Sequence, residues 1–193
     1  LKNLEKFLIV KNDDDYSNEI LLLVGNYFLE KDEKEKASSY LNILLANYKK
    51  SVRRLEITPE KRIEQIFLIG KIYNGLNKFE MAERWLNQAL KSMDALKEGR
   101  KEWQLSILRE KGKVLFHLGK HRQALAASLK VLYLDHTMSA KEIYNLNLRV
   151  ASSYVHLERI SEAQAIYRKM LKKIKLDKNR IKVEKLLRKL SEK

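Results

Sequence analysis

Two small residues, Gly70 and Ala82, sit among large apolar ones and restrict what this chain can fold into. The stretch Ile63 to Leu96 carries Ile66, Ile69-Gly70 and Tyr73, then Ala82, Leu86 and Ala89. Each group recurs at helical spacing, so the stretch reads as two helices. Gly70 and Ala82 let those helices approach closely where they cross, and Ile66, Ile69, Tyr73 and Leu86 fill the seam around the contact. Each helix keeps an apolar stripe that one partner cannot bury, so the pair requires copies of itself on both sides.

Copies are present. Leu21, Val24-Gly25 and Phe28 form one first helix (helix A), with Ala37, Leu41 and Leu44 in its second helix (helix B). Asp15 or Ser17 is placed to cap its start. Its turn is expected in the charged stretch Glu30 to Glu33, and Lys49 to Arg54 puts cations where the helix macrodipole favours them. Thr58-Pro59 opens the next pair as N-cap and first helical residue. Gly75-Leu76-Asn77 supplies its turn, and Gly99 breaks the chain after it. A third pair carries Leu108, Gly112, Leu115 and Leu118-Gly119, then Ala124, with Ser128 where a large residue is expected; its helix A is free to start as early as Arg100. A fourth opens on a capping box, Ser139 with Glu142, and carries Val150-Ala151 and Tyr154, then Ala163, Tyr167 and Met170. The small helix-A positions are 25, 70, 112 and 151, so successive repeats measure 45, 42 and 39 residues.

This pattern resembles the tetratricopeptide repeat (TPR), whose helix pair reads large-x2-Leu-Gly-x2-Tyr…Ala-x3-Phe over about 34 residues. The longer period is similar to the extended TPRs of kinesin light chain, of bacterial peptide-sensing regulators and of related adaptors. The resemblance implies an all-α fold, a right-handed α-solenoid of antiparallel TPR-like helix pairs. It would run as a single array over 1–193, with a partial preceding helix at 1–11 (Leu4, Phe7, Leu8), helix pairs at 18–52, 63–97, 105–135 and 144–175, and a capping helix at 178–191. That last segment carries Val183, Leu186, Leu187 and Leu190 on one face, as a solenoid end cap requires.

Composition agrees. Six Gly and one Pro in 193 residues suit long helices with short connections. Without Cys the chain has no disulfide and no thiolate metal site. It has no apolar run of membrane-spanning length and no secretory signal pattern. It begins at Leu1, as a piece of a longer array would. Localisation is left open, with the cytoplasm the expectation for this segment. Net charge is +15, concentrated in Arg168 to Lys193, where twelve Lys/Arg face Asp177, Glu184 and Glu192. The acidic run Asp13-Asp14-Asp15 lies at the other end. Such a charge excess attracts acidic proteins, nucleic acid or anionic membranes without choosing among them.

Catalytic and metal signatures are missing. There is no His-Glu-x2-His, no phosphate-binding Gly loop and no nucleophile elbow. His117 and His121 are four apart, as a metal pair on one helix face would be, but the turn at Gly119 intervenes; His136 and His156 complete the set. Carboxylate pairs such as Glu60/Glu64 sit at helix starts, where the dipole accounts for them. The expectation is a non-enzyme without cofactor or metal.

In a TPR array the helices A line a concave groove. By consensus position this places Asn26 (with Leu22 and Glu30), then Phe67, Lys71 and Asn74, then Arg109, Lys113 and Phe116 (with His117), then Arg149 and Ser152 (with Leu148 and His156) on that side. Amides there can match the backbone of an extended peptide, and the cations suit carboxylates. The family's carboxylate clamp for chaperone C-termini is matched only at Asn26, since Leu22 stands where its Lys belongs. The expected function is a protein–protein interaction module that binds an extended or helical peptide segment, acidic or amphipathic, in its groove. The alternatives are the peptide-sensing part of a bacterial regulator, which needs an output domain, and a basic nucleic-acid-binding scaffold.

Overall fold

The computed structural model describes residues 15–96, 101–174 and 177–192. They form nine α-helices and no strand: α1 Asp15–Glu30, α2 Lys34–Ser51, α3 Pro59–Gly75, α4 Phe79–Asp94, α5 Lys101–His117, α6 His121–Leu134, α7 Ala140–His156, α8 Ile160–Lys173 and α9 Asp177–Ser191. Consecutive helices pack as four hairpins, α1–α2 to α7–α8, and α9 packs on α8. This is the all-α, paired-helix architecture of the α-solenoid class. The chain divides into two compact units, Leu1–Gly99 and Arg100–Lys193, with two hairpins in each. The expected helix at 1–11 and the break at Gly99 lie outside the described residues.

The four hairpins share one register. Twelve residues after each small helix-A position stands a fully buried alanine: Ala37, Ala82, Ala124 and Ala163. Sixteen residues after it stands the residue that meets it across the seam. A Cβ placed on Gly25 would lie 2.4 Å from Leu41, and one on Gly70 would lie 2.9 Å from Leu86. One on Gly112 would lie 3.2 Å from Ser128 Oγ. Ala151 and Tyr167 occupy the same positions in one buried cluster. Close approach thus explains the small residues, because a larger side chain on helix A would occupy the space of the facing side chain on helix B.

The turns repeat as strictly. The seventh residue after the small position is left-handed in every hairpin: Asp32 (φ 58°), Asn77 (φ 57°), Gly119 (φ 71°) and Glu158 (φ 60°). The next amide then bonds back across the helix end, from Glu33, Lys78, Lys120 and Arg159 to the carbonyls of Phe28, Tyr73, Leu115 and Tyr154, each at 2.9 Å. That 6→1 bond with a left-handed residue before it is the Schellman helix stop. The same four donor residues are the N-caps of the following helices, so one short turn both ends helix A and starts helix B.

With the hairpin fixed, repeat length varies only beyond it. Helix B shortens from 18 to 16 to 14 residues over the first three hairpins. The connections within the two units, over 52–58 and 135–139, shorten as well. The extra length over a 34-residue repeat therefore sits at the far end of each pair.

Caps agree with the sequence where side chains make them. Thr58 Oγ1 accepts from the Lys61 amide ahead of Pro59, and Ser139 with Glu142 forms a complete capping box. α1 starts at Asp15, which puts Ser17 inside the helix and corrects its reading as a cap. At the other end Val183 is fully buried, and Leu186, Leu187 and Leu190 pack on the cluster of Ala151, Tyr167 and Met170.

Candidate functional site

In the first unit the helix-A residues are open to solvent. Asn26 and Glu30 on α1 are exposed and Leu22 is half-buried. On α3, Phe67 and Lys71 stand one turn apart, with Lys71 Nζ 5.6 Å from the Phe67 ring centre. Asn74 follows on the next turn, half-buried. A second cation–aromatic contact, Lys49 Nζ 5.2 Å from the Tyr73 ring, ties α2 to α3. The face therefore offers an ammonium held over a partly exposed aromatic ring, with an amide beside it.

The second unit uses the equivalent positions differently. The Arg109 guanidinium pairs with both Asp135 and Glu142. Asp135 also accepts from the Thr137 amide at 3.0 Å and its hydroxyl at 2.8 Å, while Glu142 is the capping-box residue of α7. Burial would push the Asp135 carboxyl up, but the Thr137 bonds and then Arg109 outweigh it and hold it below the ordinary range. The Glu142 carboxyl is lowered too, first by its bonds from Ser139. Arg109 thus fastens α5 to the α6–α7 connection and to the start of α7.

Arg149 is largely buried. It lies against Gly112, 3.3 Å from where a Cβ would stand, and donates to the Arg109 carbonyl at 3.4 Å. Burial lowers its guanidinium to about 10, with the nearby Glu110 carboxylate pulling the other way. Glu110 is buried and accepts from Lys113 Nζ at 2.7 Å. Ser152 on α7 is half-buried. Of the four cations expected on one surface, Lys71 is exposed in the first unit, Lys113 is half-exposed beside Glu110, and Arg109 and Arg149 are engaged inside the second unit.

Phe116 gathers a ring cluster at the end of α5. His117 lies 6.2 Å from it, His121 5.2 Å and His156 5.8 Å. The His121 and His156 rings stack face to face, 4.0 Å apart and 2° from parallel. Among the described residues no group of three or more His, Asp or Glu side chains is arranged to hold a metal ion. Parallel stacked imidazoles also point their ring nitrogens alongside one another rather than toward a common centre.

What kind of repeat this is rests on one span. Residues 66–92, from α3 through most of α4, match the family model for the tetratricopeptide repeat. The helix pair is a TPR. No curated protein matches the chain. Among solved structures, the kinesin light chain TPR-like repeats of Podosopora anserina superpose with a TM-score of 0.67 at 12% identity, covering 90% of this chain and 85% of that one. BtubC (BKLC) of P. vanneervenii superposes with a TM-score of 0.59 at 16% identity, covering 95% and 78%. At those identities the likeness is one of fold, and it extends the TPR-like pairing over nearly the whole chain.

Sequence reasoning missed Asp135, the second task of Glu142, and the stacking of His121 on His156. One signal pointed to Arg149. Ser128 leaves the seam of the third TPR-like hairpin short of volume, and Arg149 lies there against Gly112.

Proposed function

We propose that the chain is a non-catalytic protein–protein interaction scaffold that binds an extended or helical peptide segment, acidic or amphipathic, along its helix-A faces. The reading is supported by the TPR at 66–92, by the TPR-like fold of the similar structures and by the side chains on α3. The observation that carries it is the exposed Lys71 ammonium over the Phe67 ring on that TPR. A carboxylate can meet the ammonium while an apolar side chain covers the ring, and interface hot spots favour aromatic anchors of this kind. Asn74 and Asn26 are placed to bond a peptide backbone. Lys113, Phe116 and Ser152 are the contacts assigned to the second unit, while Arg109 and Arg149 enter as residues that hold α5 and α7 in position.

The test is selection of peptides from a displayed random library on the whole chain, followed by anisotropy titration of those retained. Enrichment in Asp/Glu with aliphatic or aromatic residues is expected. Lys71→Glu and Phe67→Ala should each weaken binding about tenfold, which is about 1.4 kcal/mol, with the helical circular dichroism unchanged. Lys91→Glu and Lys130→Glu, on exposed helix-B positions, should leave it intact. Loss of binding in the helix-B variants alone would place the partner on the opposite face.

A second reading, nucleic-acid binding, is favoured by one observation. Arg168, Lys169, Lys172, Lys173, Lys178, Arg180, Lys182, Lys185, Arg188 and Lys189 are all exposed on α8 and α9. Titration with oligonucleotides at two salt concentrations decides it. Counterion release makes such affinity fall steeply with salt, and only tight, sequence-dependent binding at the higher salt would displace the peptide reading. Among the described residues no helix is long and apolar enough to cross a membrane.

A further inference from the structure

The stacked imidazoles of the second unit add a ring contact at one end of α6 and α7, helices that also pack along one another. His121 is the first residue of α6, placed by the left-handed Gly119, whose carbonyl accepts from the His121 amide at 2.8 Å. His156 is the last residue of α7. Their contact therefore holds the turn of the third TPR-like hairpin against the end of helix A in the fourth. Phe116 backs both rings edge-on.

Two features make this contact sensitive to protons. Rings 4.0 Å apart and parallel attract one another when neutral or when one is charged, but two imidazolium rings in that arrangement repel. In addition, the His121 Nδ1 atom is buried with no hydrogen-bond partner. In the neutral ring it can remain an unprotonated acceptor; in the imidazolium it becomes a buried, charged N–H with nowhere to donate. Consistently, burial first and the charge of His156 second lower the His121 imidazole below its ordinary range.

The surrounding groups do not offset that repulsion. On α5 they are Lys113, bonded to Glu110, and the exposed His117; the turn adds Lys120 and α6 adds Arg122. After α7 come Glu158 and Arg159, the latter over the Tyr154 ring and paired with Glu162 at the start of α8. Neither His121 nor His156 has an ion pair with any described carboxylate.

We propose that His121 and His156 form a proton-operated latch within the second unit, closed while at most one ring is charged and opened when both are. The sign follows from linkage. A lowered imidazole pKa means the folded unit binds fewer protons than the unfolded chain just below about pH 6.5. The contribution to stability is therefore complete above that pH and is lost as pH falls through the folded value.

The experiment is a titration of the histidine ring signals by 1H–13C NMR on the whole chain from pH 8 to pH 5, with the exposed His136 as internal reference. His121 and His156 are expected to titrate as a coupled pair, with His121 taking up its proton below the ordinary imidazole range. In His156→Phe, which keeps a ring but no charge, His121 is expected to titrate in a single, higher step. Independent titration of both rings at the His136 midpoint overturns the latch. The wild-type titration decides this alone if the variant does not fold.

Discussion

The two units fill equivalent positions with different chemistry. In the first, Leu29 reaches the end of the next helix A at Gly75, where a Cβ would lie 2.7 Å from its Cδ1. In the second, the equivalent pair is Phe116 and His156, ring against ring at 5.8 Å. The seams differ in the same way. Gly70 is met by Leu86 from its own hairpin, whereas Gly112 is met by Ser128 and by Arg149, which comes from the next one. The backbone register is identical in both, down to the left-handed residue of each turn. What the repeat conserves is the path of the chain; which hairpin supplies the filling is open to exchange. In the first unit Gly70 is met by Leu86 alone, and Lys71 is exposed. The second has turned two of its helix-A arginines to internal use.

The comparison breaks most visibly at Arg149. Arg149→Ala leaves a void over Gly112 and removes the cation beside buried Glu110, and should cost about 3 kcal/mol. Urea unfolding checks it, with exposed Lys141→Ala as the control expected to stay within about 0.5 kcal/mol. In the first unit the failure is of the opposite kind. Gly70→Leu or Ala82→Leu overpacks a seam already filled by Leu86 and should cost about 2 kcal/mol. A loss no larger than that of Lys78→Leu would contradict the register. The turns give the smallest effects. Gly119→Ala places a Cβ on a left-handed residue and should lower stability by about 1 kcal/mol, while Glu158→Gly at the equivalent position should raise it by up to about 1 kcal/mol. Thermal melts resolve the opposite signs; equal signs would mean the four turns are not equivalent.

Much of this fold is legible in the sequence because it is local. Small residues at helical spacing, Thr58-Pro59, Ser139 with Glu142 and the turn residues near Asn77 and Gly119 each act within one hairpin. Placement of the site residues is legible only as far as consensus position goes. Arg109 lies on the expected helix, yet its partners Asp135 and Glu142 are 26 and 33 residues away, and only the path of the 135–139 connection brings them to it. The capping box announced one task of Glu142 and concealed the other. His121 and His156 belong to different repeats and meet because the turn at Gly119 and the end of α7 arrive at one place. Consensus position assigned Arg149 to the groove side, although Ser128 had already marked the space beside Gly112 where its guanidinium lies.

That exchange of filling is best tested by a double-mutant cycle between Ser128 and Arg149. Ser128→Leu restores the large residue found at Leu41 and Leu86. In the wild-type background it competes with Arg149 for the space over Gly112 and should destabilise. Combined with Arg149→Ala it should occupy the void and recover stability, giving a coupling of about 1–2 kcal/mol in urea unfolding. Additive effects, agreeing within about 0.5 kcal/mol, would mean that Arg149 does not complete the third TPR-like seam.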